Sequence, residues 1–181
     1  MVDVGLAGFA RSGKDSVGRV LVANGFVRRS FASPMRVALV RLNPLVDTCN
    51  GVMPLMDALY LLGSWEGLKE RAPGVRVLLQ RLGSDVGREM FGEDFWVEQA
   101  FKGLDGVESY VFTDVRFPNE AEAIRGRGGV VWNVVRPGVG VANGHVSESA
   151  LGGFVFDETI VNDGSLEDLE VKVLGCLKNL G

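Results

Sequence analysis

The chain has 181 residues, 46% hydrophobic and 23% charged, with a formal charge of −4. This balance excludes a disordered chain and leaves no broad positive field for a nucleic acid polymer, whereas a single nucleotide needs only a few local arginines. No apolar run approaches a membrane-spanning length, and the lone His145 argues against a multi-histidine metal site.

The first apolar run, Val2, Val4, Leu6 and Ala7, reads as a strand ending in Gly8-Phe9-Ala10-Arg11-Ser12-Gly13-Lys14-Asp15-Ser16. Gly8, Gly13 and Lys14 have the spacing of a phosphate-cradling loop, G-x-x-x-x-G-K. Such a loop needs backbone N–H groups turned inward, a helix N-terminus facing the phosphates and a lysine reaching the outer phosphoryls. Asp15 stands where a Mg2+-binding Ser or Thr is usual, and the hydroxyl follows as Ser16. Val17, Val20 and Leu21 then fall at helical intervals. The plain alternative is a tight βα turn with no ligand.

Asn24-Gly25 closes this helix, and Phe26–Phe31 reads as a short strand. Ser33 is placed to cap the next helix with Pro34 in its first turn. Arg36 near that helix start is poorly placed for the dipole, which fits either an anion contact or a solvent-facing charge. From Asn43 to Pro73 the chain is interrupted by Asn43-Pro44, Asn50-Gly51 and Pro54, with short helices expected at Leu55–Leu62 and Trp65–Lys69. This region reads as a mobile flap or as plain connection, and packing is the simpler role for Tyr60 and Trp65. Val75 to Leu82 form an apolar helix face, with a break expected at Gly83-Ser84, and Phe95–Phe101 begins another helix.

Ser109–Thr113 is β-prone and ends in Asp114-Val115-Arg116-Phe117-Pro118-Asn119-Glu120, where open α/β proteins place ligands. Asn119 is expected to cap the following helix. Asp114 could serve Mg2+ through water, or clamp Arg116 or the loop backbone. Val130–Val135 is the next strand and leads into Arg136-Pro137-Gly138. After Phe154–Val161, Ser165 and Asp168 stand in capping-box order before a final amphipathic helix. With no secretory segment read from the sequence, Cys49 and Cys176 are expected to be reduced in a cytoplasmic compartment.

Several of these segments resemble bacteriophage deoxynucleoside monophosphate kinases and related P-loop small-molecule kinases. They are Arg11–Ser16 (R-S-G-K-D-[ST]), Phe31–Arg36 (F-A-x-P-[LIM]-[KR]), Leu78–Trp96, Asp114–Glu120 (D-V-R-F-x-N-E), Arg136–Gly138 and Ile160–Leu169. The resemblance implies an α/β P-loop fold of the nucleoside monophosphate kinase type, a mostly parallel sheet with helices on both faces. It implies one kinase domain, 1–181, with an acceptor-binding helical region at 36–100 and a lid-like segment at 136–153. ATP would be held by Arg11, Ser12, Gly13, Lys14, Asp15 and Ser16, with Arg136 and Asn162 on the donor side, and Mg2+ by Ser16 and Asp114. The acceptor deoxynucleoside monophosphate would meet Arg36, Gln80, Arg88, Trp96, Arg116, Phe117, Asn119 and Glu120. Lys14, Arg88, Asp114 and Arg116 would carry the transfer. Another phosphorylated acceptor, such as phosphomevalonate, or a non-catalytic nucleotide-binding regulatory role are the alternatives, and a homodimer stays open.

Overall fold

The structure, a computed structural model, describes residues 1–104, 106–140 and 150–180. His145, the run to Ser149 and half of the expected lid-like segment, 141–149, lie outside the described residues. Where the sequence reads as one domain with an excursion, the chain divides into two compact units, 1–31 with 101–181 and 32–100.

The first unit holds a five-stranded parallel sheet of Val4–Ala7 (β1), Val27–Arg29 (β2), Tyr110–Phe112 (β5), Val130–Val135 (β6) and Glu158–Val161 (β7). Their order is β2-β5-β1-β6-β7, with β1 central and paired through Val4↔Val111 on one side and Val4↔Val130 on the other. Counting these strands alone, the order is 2-3-1-4-5. The chain leaves β1 toward one edge and returns through β5 to cross to β6, so its direction of winding switches beside β1. Open α/β sheets place ligands at such a point, outside the carboxyl ends of the strands. Because every pair is parallel, all five strands present their carboxyl ends on one edge.

Successive side chains of a strand face opposite sides of the sheet, and β1 shows both coverings. Val4 and Leu6 join Val111, Trp132, Val134 and Ile160 in one buried cluster with Val17 and Leu21 of Lys14–Ala23 (α1) and Leu169 and Val173 of Leu166–Lys178 (α9). Gly5 points the other way, where a Cβ would stand 2.6 Å from Ile124 of Pro118–Gly126 (α8). Phe31, Phe101 and Phe112 cluster with ring centroids 4.9 to 5.8 Å apart. These features give an α/β sheet with helices on both faces. Ser165 Oγ accepts from Asp168 N at 3.1 Å while Ser165 N donates to the Asp168 carboxylate at 2.9 Å, so the capping box starts α9 as its sequence predicts.

The second unit contains Ser33–Leu42 (α2), Leu45–Thr48 (β3), Gly51–Pro54 (β4), Leu55–Leu62 (α3), Trp65–Arg71 (α4), Pro73–Arg81 (α5), a π-helical stretch Leu82–Arg88, Glu89–Phe91 (α6) and most of Phe95–Phe101 (α7). Its core is Leu39, Val46, Leu55, Ala58, Leu68, Ala72 and Val75. Three sequence expectations change here. Asn50-Gly51, read as an interruption, lies in an antiparallel hairpin in which Thr48 pairs Gly51, so that Cys49 and Asn50 form the turn and Gly51, at φ 96°, begins the second strand. Gly51 takes the left-handed conformation, which glycine adopts without strain. Ser33 lies inside α2, with Ala32 as the residue before the helix. Tyr60, expected to pack, is 91% exposed, while Trp65 does pack against the core.

No helix among the described residues is long and apolar enough to cross a membrane. Cys49 and Cys176 are free thiols, and burial together with Glu158 raises the titration of Cys176.

Candidate active site

The loop after β1 follows the path that its glycines permit. Gly8, Arg11 and Gly13 take φ of 130°, 66° and 112°, and a Cβ at Gly8 would stand 2.2 Å from the Val134 carbonyl oxygen. At Gly8 and Gly13 only glycine takes such a path without strain, while Arg11 sits in the smaller left-handed region open to other residues. Ser12 N donates to Phe9 O at 3.2 Å, and the Lys14 ammonium donates to Gly8 O and Phe9 O at 2.7 Å each, so the loop wraps its own lysine. α1 begins at Lys14 with Gly13 before it and no side chain capping it. A helix start without a side-chain cap leaves its partial positive charge for a ligand. Ser12 is buried, and its Oγ has no hydrogen-bond partner among the described residues.

The flanking loop residues divide by direction. Arg11 is exposed. Asp15, in the place of the usual hydroxyl, pairs with Arg28 of β2 at the surface, an arginine that no local sequence signal singles out. Ser16 Oγ accepts from Arg19 Nη2 at 3.1 Å.

The turn after β5 is built around two carboxylates. Asp114 Oδ1 accepts from Phe31 N at 2.9 Å and Oδ2 from Ser30 Oγ at 2.7 Å, tying the end of β5 to the end of β2. Asp114 thus braces the segment just after β2, a link the sequence did not offer for it. Ser30 is a residue the sequence did not flag, because its partner lies 84 positions away. Glu120 is buried, and its Oε2 accepts from Arg116 N at 2.7 Å and Phe117 N at 3.1 Å. The cap of α8 is therefore Glu120 reaching back; Asn119, expected to cap, lies inside the helix after Pro118. This cap spends the Glu120 carboxylate on the backbone of the turn. The Arg116 residue is exposed, and Phe117 and Asn119 are half-buried.

Arg136 is exposed in a turn closed by Val139 N donating to Arg136 O at 3.1 Å, with Gly138 at φ 78°. Asn162, after β7, is buried and donates through Nδ2 to Ser12 O at 2.9 Å. It stands behind the loop rather than open to a ligand. The first unit thus gathers the loop, Asp114, Arg116, Arg136 and Asn162 at the carboxyl ends of β1, β5, β6 and β7.

In the second unit, the break expected at Gly83-Ser84 is replaced by the π-helical stretch, which continues α5 into α6. Gly87 explains it: a Cβ there would stand 1.9 Å from Trp96 Nε1, and the indole N–H donates to Gly83 O at 3.0 Å. The widened turn seats a buried tryptophan against bare backbone, a feature that often marks functional sites. Arg88 closes the stretch and donates from Nη1 to Glu93 O at 3.1 Å. Gln80 is half-buried on α5. Arg36 lies over the Trp65 ring at 5.7 Å and 3.7 Å from Glu66, and its Nε is buried without a partner among the described residues. A buried guanidinium N–H left unsatisfied is costly, which suits a site that receives an anion.

Among the described residues no three His, Cys, Asp or Glu side chains gather as a metal group. Mg2+ needs none, since it is commonly held by one or two protein oxygens together with substrate phosphates.

The family model for deoxynucleotide monophosphate kinase matches residues 67–173, which include Gln80, Arg88, Trp96, Asp114, Arg116, Arg136 and Asn162 but not the loop after β1. The chain is 39% identical over 111 residues to a deoxynucleotide monophosphate kinase of Enterobacteria phage T4, across 59% of this chain and 46% of that protein. It is 38% identical over 109 residues to that of Escherichia phage RB69, across 58% of this chain and 45% of that protein. Each match thus spans under half the relative's length. A protein of Acanthamoeba polyphaga mimivirus matches at 28% identity across 99% of this chain and 97% of its own length. The crystal structure of TT1252 from Thermus thermophilus covers 99% of this chain at 17% identity with a TM-score of 0.40, too low to add to the strand order.

Proposed function

The chain belongs to the deoxynucleotide monophosphate kinase family, and on that premise we propose that it transfers the γ-phosphoryl group of ATP to the 5′-phosphate of a deoxynucleoside monophosphate. The observation that carries this reading is the Gly8–Lys14 loop, wrapped on its lysine at the carboxyl edge of a parallel sheet, with α1 uncapped behind it. An acceptor phosphate oxygen attacks the γ-phosphorus, the bond to the β,γ-bridging oxygen breaks, and ADP leaves with that electron pair. The acceptor is already anionic, so catalysis is alignment and charge compensation rather than proton abstraction.

Lys14 exchanges its bonds to Gly8 O and Phe9 O for donor phosphate oxygens, and the start of α1 meets the remaining charge. Ser16 and Asp114 are the oxygens that would hold Mg2+, which when bound neutralises charge between the donor phosphates. The Asp114 oxygens accept from Ser30 and Phe31, which fixes the carboxylate at the end of β5, where it would serve Mg2+ through water. For the acceptor phosphate the second unit offers Arg36 and Arg88 and the first unit offers Arg116, each a planar guanidinium able to give two parallel N–H bonds. Gln80 and Trp96 of the second unit and Phe117 of the first are the side chains offered to the base. Asn119 and Glu120 shape the turn that presents Arg116, and Arg136 serves the donor side.

The test is ATP and Mg2+ with each of dAMP, dCMP, dGMP, dTMP, dUMP and 5-hydroxymethyl-dCMP, reading the diphosphate product directly. Formation of at least one deoxynucleoside diphosphate is expected. ADP released without acceptor dependence would instead point to a regulatory nucleotide-binding role. Phosphorylation of phosphomevalonate, with none of the nucleotides accepted, would change the acceptor class.

A further inference from the structure

Resting on the kinase reading, we propose that Asn162 is a positioning residue for the phosphate loop, held in place by Lys172, and that it does not contact the nucleotide base. The Asn162 side chain is buried, and Nδ2 donates to Ser12 O at 2.9 Å. The same nitrogen would lie 2.4 Å from a Cβ on Gly13, the residue that turns the loop into α1 with φ 112°. The amide therefore meets the loop at two adjacent residues immediately before Lys14. Its own backbone N–H donates to Val135 O at 2.7 Å, so one residue joins the ends of β6 and β7 to the loop after β1.

Lys172 of α9 grips the chain on both sides of Asn162. Its ammonium donates to Val161 O at 2.8 Å and to the Asp163 carboxylate at 2.5 Å. That bond is the main reason Asp163 titrates below the ordinary carboxylate range. A neutral amide suits the bracing role: it supplies an N–H for a buried carbonyl while adding no charge behind the phosphates. A carboxylate of the same shape would face Ser12 O with an acceptor and bring a negative charge toward the donor.

The test compares Asn162→Asp and Lys172→Met with the unaltered chain by calorimetric titration of two probes with Mg2+, the non-hydrolysable analogue AMP-PNP and inorganic tripolyphosphate. Thermal melting checks folding, and steady-state kinetics give KM for ATP and for the acceptor. A brace predicts that N162D weakens both probes by about tenfold or more, as expected for an unsatisfied buried group. K172M should weaken both by a smaller factor, with KM for the acceptor unchanged in either variant. Loss of AMP-PNP affinity with full retention of tripolyphosphate would mean a base contact and would overturn the proposal, as would unchanged binding in N162D. If N162D does not fold, K172M decides, and affinity for both probes equal to that of the unaltered chain overturns the brace. Failure of the unaltered chain to bind either probe would instead remove the kinase reading beneath it.

Discussion

The loop-bearing edge of the first unit and the helical second unit hold their candidate site residues in place by different means. In the first unit the supports are mainly backbone groups at strand ends: Gly8 beneath Val134 O, Phe31 N on Asp114, and Arg116 N and Phe117 N on Glu120. In the second unit they are side chains seated on helices, with Trp96 on Gly83 and Arg36 over Trp65. A site held by strand ends inherits the precision of the sheet, whereas one held by helices depends on individual packing contacts. The first should lose chemistry before stability, and the second should lose both together.

The largest effect expected is from Lys14→Ala, which should lower transfer at least about a hundredfold through loss of charge stabilisation. Its melting temperature should move little; a variant retaining near-wild-type turnover in a coupled ADP assay would break the comparison at its strongest point. Next is Gly87→Ala, whose methyl meets Trp96 Nε1 at 1.9 Å. Overpacking of this kind costs about 1–3 kcal/mol. Urea denaturation should show that loss, and kinetics should show a raised KM for the acceptor with that for ATP unchanged.

The two buried tryptophans give a sharper contrast. Trp96 donates to Gly83 O, whereas the Trp132 indole N–H is buried without a partner among the described residues. Trp96→Phe forfeits a made bond, worth about 0.5–1.5 kcal/mol beyond the change in volume. Trp132→Phe relieves an unsatisfied donor, so denaturant midpoints should fall further for the first substitution than for the second. Equal losses would mean that the indole bond does not hold the π-helical stretch.

The smallest effect concerns Asp163 and Asp168. The hydrogen bond from Lys172 lowers the first, and those from Ser165 lower the second. A carboxylate whose folded pKa is depressed contributes stability above its unfolded pKa and loses it as pH falls through the folded value. Both groups are exposed, so Asp163→Asn and Asp168→Asn should be only slightly less stable than the parent at neutral pH. The difference should vanish under acid conditions below the ordinary carboxylate range, as followed by thermal melting at each pH.

Much of the first unit was legible before folding because its information is local. Gly8, Gly13 and Lys14 declare a loop by spacing, and Ser165 with Asp168 declares a helix start. The β-prone run before Asp114 declares a strand end. Glu120 was less legible, since Asn119 is also a good cap by type, and only Pro118 opening the helix decides between them. The second unit concealed more. Asn50-Gly51 carries a turn signal that by itself reads only as an interruption, and Gly83-Ser84 looks like a helix break until Trp96 is seated against Gly83 and Gly87.

By itself the sequence determined the strand-loop-helix unit, the order of its motifs and the family resemblance, because backbone conformation over a few residues follows from glycine, proline and capping chemistry. Tertiary structure alone decided that Asp114 binds Ser30 and Phe31, that Asn162 lies buried behind Ser12 and that a π turn accommodates Trp96. Those contacts join residues far apart in the chain, and a side chain's partner is set by which strand ends and helix faces folding brings together.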